Sequence, residues 1–183
     1  MNDTELLSQA EHISDIVTKI MLRTMAGDIT GGASDEITMA QFQALRHISQ
    51  HGPCTIGSLS DGLSVSQPAA TMLVDRMVKR GLVERQPRQD DRRQAEVSLT
   101  PHAEDLLGQI ETGRAERLGR ILAVMEPRER ERFVESLECF VSAVLKLEHS
   151  PDEICLRCGT EHQDDCIVNK THLELAGRDV ERT

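Results

Sequence analysis

Residues 66–100, SQPAATMLVDRMVKRGLVERQPRQDDRRQAEVSLT, constrain this chain more than any other stretch. Ser66 is a natural helix cap, Pro68 suits a first helical turn, and Gly81 supplies the left-handed conformation that closes a helix after Arg80. Val83–Gln86 and Ala95–Leu99 then read as two strands joined by a charged tip, Arg88 to Arg93. A helix that passes at once into a hairpin, both rich in arginine, is a narrow structural solution.

Net charge is -10, which on its face disfavours a polyanionic partner. The charge is segregated, however, and the local field matters more than the sum. Between Arg76 and Arg93 seven basic residues stand against three acidic, whereas from His149 to Thr183 four stand against eight. The one basic island is the helix and hairpin, the build of a winged helix-turn-helix.

The remaining chain supports that frame. Leu6, Leu7, Ala10, Ile13, Ile16, Val17, Ile20 and Met21 recur at helical spacing over residues 6–26, and Gly27–Ile37 reads as a loop. Thr38-Met-Ala-Gln41 is a capping box opening a helix that Gly52-Pro53 ends, and Thr55 caps a short helix through Leu63. Ser64–Ser66 is the turn before the basic helix. Thr100-Pro101 opens a long helix to Val124 and Pro127 another, with an apolar stripe of Phe133, Leu137, Phe140, Val141, Val144 and Leu145. With no Trp and no Tyr, the core must be built of Leu, Ile, Val, Met and Ala. The expected fold is mainly α with a small β-wing. One domain spans 1–149, with a DNA-binding core over 38–100 and dimerisation helices over 6–26 and 101–149. An acidic Cys/His tail occupies 150–183.

Two segments, LVDRMVKRGLVER (Leu73 to Arg85) and DRRQAEVSLTP (Asp91 to Pro101), resemble the end of the recognition helix and the D-x-R wing of the MarR family of bacterial regulators. The likeness covers residues 6–149 and departs at Ala103, where the family often has glycine. It implies a homodimeric transcriptional regulator on a pseudo-palindromic operator, a repressor released by a small-molecule effector that changes the spacing of two recognition helices. It also implies that Arg93 enters the minor groove, oriented by Asp91, with Arg92 near the backbone.

A recognition helix presents its N-terminal part to base edges, here Ser66, Gln67, Ala69, Ala70 and Thr71. Gln67 has the geometry for adenine, and Thr71 or an alanine for a thymine methyl. Arg76, Lys79 and Arg80 suit phosphates, although Asp75 and Arg76 equally suit an internal ion pair. Long apolar helices flanking so small a core expose more apolar surface than it covers. A two-fold partner would bury that surface and set two recognition helices about one DNA turn apart.

The tail carries a separate pattern. Cys155-Leu-Arg-Cys158-Gly is a knuckle that aims two thiolates at one ion, and His162 and Cys166 follow, with His149 and His172 on either side. Three cysteines and a histidine suit zinc; the same cysteines with another fourth ligand suit an iron–sulfur cluster, and a metal-free or thiol-redox tail is the third reading. Cys54 and Cys139 sit in apolar contexts and are expected in the core. His47 and His51 are expected at the surface or an interface.

Other classes find little footing. GDITGG around Gly31 lacks the Lys-Ser/Thr of a phosphate loop, and the C-x-x-C lacks a βαβ setting, so no enzyme is expected. No apolar run approaches the roughly 20 residues of a membrane span, and the N-terminus does not read as a signal peptide, so the expected location is the cytoplasm. The rival is a metal- or redox-dependent protein-interaction module whose degenerate winged helix does not bind DNA.

Overall fold

The computed structural model describes residues 2–30, 37–87, 95–147, 154–155 and 163–177, with the backbone alone for 21–30. Its elements are α1 (Asp3–Thr30), α2 (Met39–His51), β1 (Cys54–Thr55), α3 (Ile56–Leu63), α4 (Gln67–Lys79), β2 (Val83–Pro87), β3 (Ala95–Leu99), α5 (Pro101–Ala123), α6 (Pro127–Leu147) and α7 (Ile167–Ala176).

Local chemistry sets the helix starts. Thr38 Oγ1 accepts the Gln41 N–H at 3.2 Å while Gln41 Oε1 accepts the Thr38 N–H at 2.9 Å, the reciprocal box its sequence predicts. Thr55, Ser66 and Thr100 each cap the following helix through a side-chain oxygen. Thr100 does more, because its hydroxyl also donates to the Gly81 carbonyl at 2.7 Å and so ties the start of α5 to the end of α4. Gly81 sits at φ 67°, where a side chain would be strained.

A three-stranded antiparallel sheet has the order β1-β3-β2, with Val83 opposite Leu99 and Pro87 opposite Ala95. β1 is a two-residue strand pairing Cys54 with Val97, and it was too short to leave a periodic signal. Phe42, Leu45, Leu59, Val74, Met77, Leu82, Val83 and Val97 form a core shared by α2, α3, α4 and the sheet, which Leu106, Leu107 and Ile110 of α5 close. Arg46 and Arg114 approach the Phe42 ring to 5.6 and 5.3 Å from its centroid, and Arg46 pairs with Glu111 at 3.4 Å, joining α2 to α5.

Several expectations are corrected. α1 runs through Gly27 to Thr30 rather than stopping before it, since one glycine costs a helix only about 1 kcal/mol. His47 is buried, not superficial: its ring fills the space beside Gly62 of α3, where any Cβ would collide with it. Cys54 is in the core as expected, but Cys139 is exposed, because among the described residues nothing covers that part of α6. The tail also contains a helix that its sequence does not announce. Helix α7 packs on α6, burying Asn169, Thr171 and His172, with Thr171 Oγ1 donating to Ser142 Oγ at 3.2 Å and Lys146 bound to Glu174 at 2.7 Å. Its buried face is polar, so a hydrophobic period does not reveal it.

Candidate nucleic-acid interface

The turn between α3 and α4 fixes how α4 is presented. Ser64 adopts the left-handed conformation at φ 54°, its N–H bonding back to the Asp61 carbonyl at 3.1 Å. Ser66 is extended and caps α4 by accepting the Ala69 N–H at 3.4 Å. Ala70, Val74 and Met77 are completely buried against the core, and this inner face sets the rotation of the helix. Pro68, Met72, Asp75, Arg76 and Lys79 therefore lie on the opposite, exposed face.

Most of the expected contact residues share this surface. Ser66, Gln67, Ala69, Arg76, Lys79 and Arg80 are exposed, and Thr71 is half-buried. Ala70 is the exception; it packs inward and has no route to a base edge. Thr71 Oγ1 donates to the Gln67 carbonyl at 2.9 Å. Arg80 Nη1 donates to Gln41 Oε1 at 3.0 Å, the same oxygen that receives the Thr38 N–H, so its guanidinium also braces the end of α4 against α2.

Asp75 does not pair with Arg76. Its carboxylate meets Arg85 of β2 at 2.8 Å, linking the outward face of α4 to the first strand of the hairpin. The residue spacing hid this pair, because its members are joined through the turn at Gly81 rather than along one helix. Met72 was likewise missed as a surface residue, although its position four residues from both Pro68 and Arg76 places it between them on the outer face. Asp91, Arg92 and Arg93 at the hairpin tip lie outside the described residues.

In the tail, Cys155 and Cys166 are half-buried, while Cys158, His162 and His149 lie outside the described residues. Cys166 is the cap of α7, its Sγ accepting the Asn169 N–H at 3.3 Å. Among the described residues no three His, Cys, Asp or Glu side chains are arranged to hold a metal ion. Cys54 is chemically quiet: burial, and secondarily the charge of Glu96, push its thiol up to about 11.

Two helices joined by a tight turn, the second followed by a hairpin on a three-stranded sheet, define a winged helix-turn-helix protein. The sequence model of the MarR family matches residues 37–95, from the start of α2 into the wing. The HTH-type transcriptional regulator YsmB of Bacillus subtilis (strain 168) is 32% identical over 145 residues, covering 76% of this chain and 92% of that protein. The crystal structure of RV1404 from Mycobacterium tuberculosis is similar at a TM-score of 0.66 and 28% identity, over 78% of this chain and 95% of that one. Streptococcus pneumoniae FabT, solved in complex with DNA, shares the fold at a TM-score of 0.65 and 17% identity, over 76% and 99% of the two chains. The chain belongs to the MarR family and is a DNA-binding transcriptional regulator. Among the described residues no helix is long and apolar enough to cross a membrane.

Proposed function

We infer that the protein acts as a homodimeric repressor, with α4 of each protomer in successive major grooves of a pseudo-palindromic operator. The observation that carries this reading is the outward face of α4, where Arg76 and Lys79 are exposed and Asp75 is tied to the wing through Arg85. Ser66, Gln67, Ala69 and Thr71 lie towards the bases, and Arg76, Lys79 and Arg80 towards phosphates. Arg93, oriented by Asp91, enters the minor groove with Arg92 beside the backbone, a suitable place for guanidinium groups. Dimerisation is supported by apolar side chains left in water on three helices: Ile13, Ile16 and Ile20 of α1, Leu118 and Ile121 of α5, and Leu137 and Phe140 of α6.

The parts divide as the sequence suggests: a DNA-binding core over 38–100, dimerisation helices over 6–26 and 101–149, and an acidic, metal-binding Cys/His tail over 150–183. A small molecule or a metal or redox event shifts the population towards a recognition-helix spacing that no longer fits the operator. For the tail the preferred ligand set is Cys155, Cys158, Cys166 and His162 around zinc, supported by the C-x-x-C-G spacing.

Fluorescence anisotropy on duplex DNA from upstream of the protein's own gene tests the DNA reading. Wild type binds with a steep salt dependence and Arg93→Ala binds more weakly; equal binding by the two removes the wing from the interface. Elemental analysis and a visible spectrum of anaerobically purified protein test the tail. Stoichiometric zinc in a colourless sample supports the set, visible bands with iron replace it by a cluster, and absence of both metals removes it.

A further inference from the structure

The outward face of α4 has two chemically different halves. Its C-terminal half carries Arg76 and Lys79. Its N-terminal half presents Pro68, Ala69 and Met72, with Val65 just before the helix, all exposed and none with a side-chain hydrogen-bond donor. The polar neighbours lie to either side of this apolar spot. Ser66 caps the helix, Thr71 donates to the Gln67 carbonyl, and the Gln67 amide lies beside α3, where a Cβ on Gly57 would come within 3.5 Å of its Nε2.

Met72 stands out within this half. It is 57% exposed, whereas Met77, five residues along the same helix, is 0% exposed. Asp75, the one acidic group on the face, is neutralised by Arg85, which leaves an apolar spot bordered by cations. Among groups on a major-groove floor, the 5-methyl of thymine is the apolar one, and phosphates flank it on both sides. An adaptable thioether with cations beside it matches that arrangement.

We propose that Met72 is a specificity-determining residue that reads thymine through its 5-methyl group, with Ala69 and Pro68 completing the apolar contact. Each operator half-site is then specified at this position by a methyl group rather than by a hydrogen-bond pattern. The inference rests on the reading of α4 as the recognition helix and deepens it.

The test uses the full-length chain and duplexes that it selects from a randomised library, with thymine replaced by uracil one position at a time. Uracil lacks only the methyl. At the contacted position wild type loses about fourfold in affinity per methyl removed. Met72→Ala loses most of that discrimination, and Met72→Leu keeps it; both melt with wild type because the side chain is exposed. Wild type indifferent to uracil, or Met72→Ala as sensitive as wild type, overturns the assignment while leaving sequence-specific binding intact. A library that yields no enriched sequence removes the recognition-helix reading itself, and with it the role of Met72.

Discussion

Met72 and Met77 are the same side chain in opposite circumstances, and they separate what folds the protein from what it shows to its partner. Met77→Ala leaves a hole in the core and is expected to cost about 2–5 kcal/mol in urea unfolding, whereas Met72→Ala stays within about 0.5 kcal/mol of wild type. Equal costs would mean that α4 is rotated from the face described. Cys54 gives a second residue-level prediction. Its thiol keeps its proton in the folded state up to about 11 against an ordinary 9.0, so the unfolded chain releases that proton first as pH rises. This contribution is therefore complete below pH 9 and lost as pH climbs from 9 towards 11. Urea midpoints measured across that range should fall more steeply for wild type than for Cys54→Ala; parallel curves would exclude the effect. The helix caps at Thr38, Thr55, Ser66 and Thr100 were legible because each acts on backbone three residues away. The rotamer-level facts, such as His47 beside Gly62 or the Gln67 amide over Gly57, depend on a second element and left no mark in local spacing.

At the scale of elements, the hairpin is held to the helices by its buried Val83 and Val97 and by a few named bonds. Thr100 makes two of these bonds directly after β3: it caps α5 and binds the Gly81 carbonyl. Thr100→Val keeps the shape, removes the hydroxyl and leaves the buried Ala103 N–H without its acceptor, a loss of about 2 kcal/mol read from thermal or urea melts. A variant as stable as wild type would show that water replaces the hydroxyl. The order of helices and wing strands was readable from capping residues, glycine stops and alternation. β1 and α7 were not, for different reasons. Two residues of strand carry no period, and α7 turns Asn169, Thr171 and His172 inward, which inverts the pattern by which a packed helix is recognised.

For the whole molecule, the surplus apolar surface of α1, α5 and α6 is the feature that a lone protomer does not account for. Leu137→Glu places a charge in that stripe while touching no part of the core, and it is expected to yield a folded monomer in sedimentation with operator affinity reduced at least about tenfold. A dimer that survives this change would put the two-fold contact elsewhere. The exposed basic face of α4 was legible in outline because charge and spacing coincide on one helix, whereas its Asp75–Arg85 brace needed the folded turn.

The polar underside of α7 has a consequence in time rather than in space. A helix seated by a hydroxyl pair, a surface ion pair and buried amide and imidazole groups exchanges those partners for water when it lifts, so its departure forfeits little compared with pulling Val74 or Met77 from the core. Amide hydrogens of α7 should accordingly exchange well ahead of those in α4 under native conditions, and equal protection in the two helices would refute this. The chain would then have two clocks: a slow one, the breathing of the winged core, and a fast one, the coming and going of α7.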